Sequence, residues 1–262
     1  MTTGMDWAAQ VGRNWAEMSQ WTDRSFGGLT HALLERIAVL PAGSILDVGC
    51  GAGELSLAVG RIRPEARVVG LDLSPDLLAV ARSRGQGMQN VVFVEGDAAS
   101  WEDPAFAPDA VISRHGVMFF ADPVSGFRHL HDIGAPGAGL AFTCFRQAAE
   151  NSWASGITAL VPDRAASVDP HAPGPFAFAD PEYVGGILDK AGWIDVDFAP
   201  VDYVYVAGDG SDPVAEAAYF FSRIGPAAAM LRELSDGPRE AFANRLRDWL
   251  KEHCRDGVVS FP

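Results

Sequence analysis

The residues best suited to chemistry lie where short apolar runs end. Asp47 follows the apolar pair Ile45-Leu46, and glycines come after it at alternate positions, Gly49, Gly51 and Gly53. A helical pattern of apolar residues follows directly, so the stretch predicts a strand, a glycine turn and a helix. Glycine suits this turn because it adopts a positive φ and leaves the backbone bare for a ligand. The N–H groups that open the helix would then face that ligand.

The chemistry of this turn favours a cationic or amine-bearing ligand. A dinucleotide fingerprint would read Gly-x-Gly-x-x-Gly, but Glu54 occupies the place of the third glycine. A phosphate-binding Walker loop would end in Gly-Lys-Ser/Thr, and this turn contains no lysine. The carboxylate of Asp47 at the strand tip would repel a phosphate group. A glycine-rich turn with no particular chemistry stays the alternative at this point.

Two further acids follow the next two apolar runs. Asp72 ends the run 67–71, and Asp97 follows the run 91–95. Because the carboxyl ends of parallel strands meet at one edge of a sheet, both acids should flank the same crevice. Asp72 could accept hydrogen bonds from both hydroxyls of a ribose, while Asp97 and the N–H of Ala98 could read the edge of an adenine. A surface acid in a loop is the alternative for Asp72.

The elements that must position these residues form a repeating pattern of strand and helix. Five such units predict a doubly wound α/β fold with a mostly parallel sheet. The fourth strand, 109–113, leads into His115 and an aromatic run, and the fifth strand covers 140–145. Helices are predicted to begin where a capping side chain precedes a proline, at Ser74, Asp122, Asp180 and Asp212.

The order and spacing of these features resemble class I S-adenosylmethionine-dependent methyltransferases over roughly residues 30–145. The glycine turn, the acid Asp72, the tripeptide Gly96-Asp97-Ala98 and the fourth strand before an aromatic run carry the resemblance. Within that class the chain is similar to the bacterial small-molecule group related to ubiquinone and menaquinone biosynthesis enzymes. The stretches Ser113–Pro123, Asn14-Trp15 and Pro173–Phe176 are close to stretches of that group.

The resemblance implies a Rossmann-like fold and an enzyme that methylates a small molecule. Its cofactor would be S-adenosyl-L-methionine, and its product S-adenosyl-L-homocysteine. The cofactor-binding residues are then predicted to be Asp47, Gly49, Cys50, Gly51, Gly53, Asp72, Leu73, Asp97, Ala98, Ser113 and Trp15. The substrate residues are predicted to be Phe119, Trp153 and Phe176.

His115 is the predicted catalytic residue. It is the residue of the crevice-forming segments that titrates near neutral pH, so it could act as a general base toward a hydroxyl or amine acceptor. Burial would lower its pKa and keep the imidazole neutral near pH 7. A histidine that packs in the core or faces solvent is the alternative.

The acceptor stays open at this point. Oxygen, nitrogen, carbon and sulfur acceptors all fit, and the aromatic-rich stretch 146–180 favours a flat, aromatic or apolar molecule. The fourth strand does not end in the acids that a Mg²⁺-dependent enzyme would place there, so no metal is expected. The sequence leaves two other function classes: an S-adenosylmethionine-binding enzyme or protein that does not methylate, and a nucleotide-dependent oxidoreductase.

Five segments are predicted along the chain. Residues 1–40 form a helical lid, 41–145 the S-adenosylmethionine-binding α/β core and 146–180 a substrate-side insertion. Residues 181–210 end the α/β core, and 211–262 form a helical cap. The family pattern would carry one more antiparallel strand after this point, so we expect the final strand to be missing and a sheet edge to be open.

Several local patterns refine these segments. The apolar stripe of Trp7, Val11, Trp15 and Met18 predicts one helix over 5–21. This segment is predicted to lie over the open end of the sheet with Trp15 lining the ligand pocket, and plain core packing is the alternative. Residues 29–40 predict a second helix, and 194–206 read as a strand. A helical stretch from Asp212 to about Cys254 is predicted to break at Gly225-Pro226.

Composition excludes several classes of protein. The formal net charge is −14 and the 20 Lys and Arg residues form no dense cluster, so a nucleic-acid partner is not expected. No apolar run reaches the roughly 20 residues of a membrane span. The cysteines, Cys50, Cys144 and Cys254, are odd in number and far apart, which favours a reducing, cytoplasmic location. The oligomeric state is left open.

Overall fold

The computed structural model describes residues 4–41, 43–160 and 169–262. The chain divides into two compact units. Unit 1 comprises Met1–Ala16, Thr30–Arg146 and Pro170–Pro200. Unit 2 comprises Glu17–Leu29, Gln147–Asp169 and Val201–Pro262.

Unit 1 is built on a parallel sheet. Its five strands are β1 (Ser44–Val48), β2 (Arg67–Asp72), β3 (Val91–Glu95), β4 (Ala110–Arg114) and β5 (Gly139–Thr143). They lie in the order β3-β2-β1-β4-β5, and all neighbouring pairs are parallel. The direction of winding reverses between β1 and β4, which is where a sheet of this kind opens a crevice at the carboxyl ends of its strands.

The helices fall between the strands as the capping signals predict. Their bounds are α1 (Gly4–Trp7), α2 (Gln10–Glu17), α3 (Ser19–Ser25), α4 (Gly27–Ile37), α5 (Glu54–Ile62), α6 (Pro75–Arg84), α7 (Pro123–Ile133), α8 (Ser152–Ala159), α9 (Pro181–Ala191), α10 (Pro213–Arg223), α11 (Gly225–Glu233) and α12 (Asp236–Glu252). Short 3₁₀ turns cover Val117–Phe119 and Ala148–Glu150.

All four predicted helix starts are confirmed by their hydrogen bonds. Each capping side chain accepts from a backbone N–H of the first turn: Ser74 from Leu77 at 3.3 Å, Asp122 from Ser125 at 3.0 Å, Asp180 from Glu182 at 2.9 Å and Asp212 from Ala215 at 3.0 Å. A proline follows each cap, where its missing N–H costs nothing because that group has no helical partner.

Apolar residues cover both faces of the parallel sheet. On one face Ile45, Val68 and Ile112 are fully buried within a cluster that includes residues of α4, α5 and α6. On the other face the buried ring of Phe127 in α7 lies 5.4 Å from that of Phe142 in β5. Strands buried on both faces are the mark of a doubly wound fold, so the predicted fold class is confirmed.

The N-terminal helix predicted over 5–21 is instead divided into α1, α2 and α3. The chain turns after Trp7, and Met18, with ψ near 8°, separates α2 from α3. An apolar stripe reports which residues face inward and carries no information on where the backbone hydrogen bonds are interrupted. The stripe nevertheless marks burial correctly at Met18, which is 2% exposed.

The strand predicted over 194–206 is also wrong for most of its length. A strand begins only at Tyr205, as β6 (Tyr205–Gly208). Upstream of it, Asp195 has a φ of 55° and Ile194 is 82% exposed, so neither residue fits a half-buried ladder. Pro200 further lacks the N–H that a ladder requires.

Unit 2 contains a small antiparallel sheet and an aromatic core. Its strands are β6, β7 (Cys254–Arg255) and β8 (Val258–Phe261), in the order β6-β8-β7. The side chains of Phe220, Phe221 and Phe261 are at most 1% exposed.

The C-terminal segment 211–262 corrects one expectation. It holds α10, α11 and α12, with the predicted break at Gly225, and then β7 and β8. The chain therefore ends in a strand, although that strand pairs with β6 and β7 and not with the parallel sheet. A strand of alternating burial was overlooked because Gly257 and Pro262 bracket only four residues.

Part of the predicted insertion 146–180 lies outside the described residues, namely 161–168. Within the described ranges, every helix is either too short or too polar to cross a bilayer.

Candidate active site

The turns after β1 and β4 meet backbone to backbone. Gly49 has a φ of 65°, and a Cβ placed on it would lie 2.8 Å from the Cα of Gly116. A Cβ on Gly116 would in turn lie 2.5 Å from the carbonyl oxygen of Val48. Both positions thus require glycine, and their contact fixes the floor of the crevice.

Hydrogen bonds tie the glycine turn to the end of β2. The N–H groups of Gly49 and Cys50 both donate to the carbonyl of Leu71, at 2.8 and 3.0 Å. The N–H of Gly51 donates to Oδ2 of Asp72 at 2.8 Å. Gly51 has a φ of 56°, and a Cβ there would meet no atom within 4 Å, so a ligand has room to approach this backbone.

Asp72 lies where the sequence places it, at the tip of β2. Its second oxygen, Oδ1, accepts from the N–H of Ser74 at 2.8 Å. Burial raises the pKa of its carboxyl group, and the hydrogen bonds from Ser74 and Gly51 oppose that rise. The neighbouring Leu73 is half-buried.

Asp47 is the most deeply buried acid of the site, at 1% exposure. Its Oδ2 accepts from the hydroxyl of Ser56 at 2.5 Å, whereas Oδ1 has no hydrogen-bond partner among the described residues. Burial raises the pKa of Asp47 to about 7, and the hydrogen bond from Ser56 works against that rise. A buried acceptor without a partner costs about 1–3 kcal/mol, and an N–H donor on a ligand would remove that cost.

Ser113, a predicted cofactor contact, makes hydrogen bonds within the protein. Its side chain is fully buried, and its hydroxyl donates to the carbonyl of Val48 at 2.7 Å. The same oxygen accepts from the N–H of Gly116 at 3.1 Å. Ser113 therefore joins the β1 and β4 turns, and its predicted contact with the cofactor stays a prediction.

His115 follows β4 in a left-handed backbone conformation. Its φ is 67°, and its N–H donates to the carbonyl of Thr143 at 3.2 Å. Burial, and then the nearby charge of Arg114, lower the pKa of the imidazole to about 3. The ring lies 4.1 Å from that of Phe145, whose other neighbour at 5.8 Å is the predicted substrate residue Phe176.

Phe145, which packs against His115 and Phe176, was not singled out by sequence reasoning. It ends the predicted fifth strand, and that position at the strand tip was the available signal.

Asp97 and Ala98 lie after β3. Asp97 is exposed, and its Oδ1 accepts from the N–H of Ala99 at 2.9 Å, which makes an Asx turn. Ala98 is 9% exposed. The carboxylate therefore shapes its own loop, and its predicted contact with an adenine stays a prediction.

The N-terminal helices reach two strand tips of unit 1. A Cβ on Gly12 of α2 would lie 2.1 Å from Oγ of Ser74, just after β2. The ring of Trp7 meets that of Phe119, beyond β4, edge to face at 5.1 Å, and it lies 5.6 Å from the ring of Trp15. Segment α1–α2 thus runs from the end of β2 to the segment after β4.

Trp153, predicted as a substrate residue, lies in the core of unit 2. It is 6% exposed, and its ring stacks on Tyr205 at 5.2 Å and on Phe221 at 6.4 Å. The indole is buried beside these two rings, and its predicted contact with the substrate stays a prediction.

A polar network beside the glycine turn was not predicted. Nη1 of Arg114 donates to Oε2 of Glu54 and, at 2.7 Å, to Oγ1 of Thr30. Thr30 donates to the same Glu54 oxygen at 3.2 Å. Arg114 lies 60 residues from Glu54 and 84 from Thr30 along the chain, so no local pattern could pair them. The one signal was Glu54 itself, where a third glycine would be expected.

Comparison with known families gives a match over the site-bearing part of unit 1. Residues 45–137 match a family model described as "Methyltransferase domain". A demethylmenaquinone methyltransferase of Thermus thermophilus is 39% identical over 98 residues, which is 37% of this chain and 44% of the relative. A trans-aconitate 2-methyltransferase of Afipia carboxidovorans is 32% identical over 108 residues, 41% of this chain and 40% of the relative. Each match spans less than half of the relative's own length.

Solved structures are similar over most of the chain. The crystal structure of the cyclase SpnF has a TM-score of 0.55 at 20% identity, covering 95% of this chain and 92% of its own. A putative methyltransferase from Bacillus halodurans has a TM-score of 0.54 at 20% identity, covering 88% and 93%. Identities this low support the fold alone.

Proposed function

We propose that the protein transfers a methyl group from S-adenosylmethionine to a small molecule, because residues 45–137 match a family model described as "Methyltransferase domain". The observation that carries the proposal is a pair of acids beside the glycine turn, one in β1 just before it and one at the end of β2. Asp47 offers a buried oxygen that lacks a partner among the described residues, and Asp72 reaches the backbone of Gly51 at 2.8 Å.

These residues fit the chemical groups of the cofactor. Oδ1 of Asp47 would accept from the ammonium group, which supplies the donor that this buried oxygen needs. Asp72 would accept hydrogen bonds from the ribose hydroxyls. The open space at Gly51 leaves room for the cofactor to approach the protein backbone there. When bound, the cofactor supplies an electrophilic methyl group on a sulfonium sulfur.

The surrounding residues complete the proposed cofactor site. Asp97 and the N–H of Ala98 would read the adenine, with Leu73 beside it at the end of β2. Trp15 and the α1–α2 segment would cover the cofactor, in keeping with the contact between Gly12 and Ser74. Cys50 would contribute through its place in the turn. Its thiol stays uncharged because burial raises its pKa.

We propose an aromatic or apolar acceptor. Phe145 and Phe176 lie together in unit 1, and Phe145 packs against His115. Phe119, held by Trp7, lies after the same strand β4. Aromatic rings in this position would hold a flat molecule by stacking and by exclusion of water. The proposed partner is thus a small molecule, and the proposed compartment is the cytoplasm.

We propose for His115 a role other than the predicted general base. Its imidazole is neutral at pH 7, but a group whose pKa is about 3 is a weak base. Methyl transfer is a direct displacement, so holding donor and acceptor in line contributes most of the rate that the protein supplies. We propose that His115 orients the acceptor side of the site through its contact with Phe145, and that the acceptor needs little help in losing a proton.

Calorimetry and product analysis test the proposal together. S-adenosylmethionine and S-adenosylhomocysteine should bind, NAD should not, and Asp47→Asn should weaken both of the former. Incubation with methyl-labelled S-adenosylmethionine and a panel of aromatic and apolar acceptors should give a labelled product and stoichiometric S-adenosylhomocysteine. Binding without transfer to any acceptor would favour the nonmethylating alternative, and binding of NAD in preference would favour the oxidoreductase.

A further inference from the structure

Arg114 joins three elements beside the glycine turn. It ends β4, and its Nη1 donates both to Glu54, the first residue of α5, and to Thr30 of α4. The side chains of Arg114 and Glu54 are 13% and 26% exposed. A pair this shielded from water interacts more strongly than a surface pair, and breaking it leaves an uncompensated charge.

Carboxylates surround the site that this arginine borders. β1 and β4 pair through Asp47 and Ile112, which lies two residues before Arg114. Burial raises the pKa of Asp47 most, the charge of Arg114 lowers it, and the charges of Asp72 and Glu54 raise it further. The hydroxyl of Ser56 donates to Asp47 and favours its ionised form.

Two other titratable groups border the same acids. Burial, and then the charges of Asp72 and Asp47, raise the pKa of the Cys50 thiol and keep it neutral. The imidazole of His115 is kept neutral by its lowered pKa. Among the described residues, Arg114 is the cation whose charge lowers the pKa of Asp47.

We propose that Arg114 is a positioning residue that keeps Asp47 ionised for the ammonium group of the cofactor and fixes Glu54 at the start of α5. This inference rests on the proposed function. Neither role follows from the glycine turn alone, because the arginine belongs to a different strand.

The sign of the effect follows from the charges. Asp47 binds a cation only when ionised, so affinity should fall as the pH drops through its pKa, which is about 7. Removing the positive charge of Arg114 raises that pKa, so the loss begins at a higher pH. Removing the negative charge of Glu54 lowers the pKa of Asp47, so the affinity for the cofactor persists to a lower pH.

The first experiment needs no cofactor. The carboxyl carbon of Asp47 is titrated by ¹³C NMR, with Asp47→Asn to assign its signal. We expect Arg114→Met to raise the pKa by about one unit or more and Glu54→Gln to lower it. Arg36→Met is the matched control: it removes a positive charge and an ion pair with Asp197, 3.4 Å long, from a side chain that is 59% exposed. It should leave the titration of Asp47 unchanged.

The second experiment measures the dissociation constant of S-adenosylhomocysteine between pH 6 and 9. A shift of one pKa unit corresponds to about tenfold in affinity at pH values below the pKa. Arg114→Met should therefore bind about tenfold more weakly than the wild type at pH 6 and nearly equally at pH 9. Arg114→Lys, which keeps the charge but loses the planar fork, should recover most of the affinity.

The outcomes separate the two proposals. An unchanged Asp47 titration in folded Arg114→Met, or an equal loss of affinity at every pH, would overturn the inference and leave Arg114 a structural residue. If the titration moves as expected while the wild type binds no S-adenosylhomocysteine, then the proposed function fails and the effect of Arg114 on Asp47 stands. Should Arg114→Met not fold, Arg114→Lys and Glu54→Gln carry the same test.

Discussion

Asp72 combines a structural and a ligand-binding task in one side chain. Oδ2 receives the N–H of Gly51 and Oδ1 that of Ser74, both at 2.8 Å. Each carboxylate oxygen has two lone pairs, so both can also accept from a hydroxyl. The acid thus holds the glycine turn in place and faces the ribose that we propose there.

We expect Asp72→Ala to weaken the binding of S-adenosylhomocysteine at least about tenfold. Hydrogen bonds to a charged acceptor contribute roughly 1.5–3 kcal/mol, which is enough for that change. Calorimetry measures it, and Asp72→Asn, which keeps an acceptor for Ser74, controls for the loop. An analogue without ribose hydroxyls should bind the wild type and Asp72→Ala alike. An unchanged dissociation constant in a folded variant would exclude the ribose role.

The pH dependence of turnover distinguishes the two roles of His115. A base of pKa near 7 would give an acid limb, whereas burial places the pKa of this imidazole at about 3. We expect no limb from His115 between pH 5 and 8 in the pH profile of kcat. His115→Asn, chosen because asparagine tolerates the positive φ, should change the profile by a constant factor. A limb near neutral pH that disappears in this variant would restore the general base.

Spacing along the chain located the acids of the site but not their partners. Asp47, Asp72 and Asp97 could be found because each ends an apolar run, and parallel strands end at one edge. The ion pair of Arg114 with Glu54 could not, because its members meet only through the fold. The hydrogen bond of Ser113 to the carbonyl of Val48 could not be predicted either, because it depends on the approach of the β1 turn.

At the scale of elements, the α1–α2 segment is held by very close packing. Gly12 is buried, and a Cβ there would lie 2.1 Å from Oγ of Ser74 and 2.2 Å from the carbonyl of Trp7. Contacts this short leave no room for a methyl group, so a substitution must move α2 away from the end of β2. The proposed lid role of residues 1–40 depends on this contact.

We expect Gly12→Ala to destabilise the protein by about 1–3 kcal/mol, as overpacked sites do, despite the better helix propensity of alanine. It should also weaken the binding of S-adenosylhomocysteine. Gly186→Ala is the control, since it lies in α9 with no atom within 4 Å of its Cβ and should be neutral or slightly stabilising. Thermal unfolding of both variants measures the change in stability, and calorimetry measures the change in affinity for S-adenosylhomocysteine. Equal behaviour of the two would remove the packing argument for a lid.

Element starts were predictable because they depend on neighbouring residues. A capping oxygen and a proline lie next to each other in sequence, and all four such signals begin a helix. Interruptions depend on distant contacts, so the division of 5–21 and the absence of a strand over 194–204 were missed. The alternating residues Val201, Tyr203 and Tyr205 predicted a strand, but of these only Tyr205 lies in β6, as its first residue.

At the scale of the whole molecule, the proposed cofactor residues belong to unit 1, and unit 2 has its own core. Composition predicted an acidic protein without the dense basic cluster that nucleic acid requires. Composition could not show that the aromatic residues are divided between unit 1 and unit 2. Phe145 and Phe176 lie together in unit 1, whereas Trp153 and Tyr205 pack inside unit 2.

The last residues of the chain are expected to stabilise unit 2. Phe261 is fully buried at the end of β8, the central strand of its sheet, and stacks on Trp249 at 5.0 Å. Phe261→Ala should cost about 3–5 kcal/mol, because it removes a whole ring from a closed core. Hydrogen exchange should accelerate in β6 and β8, which pair through Tyr205 and Phe261.

The matched control is Phe198→Ala, which removes the same ring from a site that is 47% exposed. That variant should lose less than about 1 kcal/mol, since the ring is already half in water. Thermal unfolding compares the two variants directly, and each kcal/mol lowers Tm by about 2–4 °C in a chain of this size. Equal melting temperatures would mean that the terminal strand contributes little to the core of unit 2. A drop confined to Phe261→Ala would show that β8 contributes to the core of unit 2.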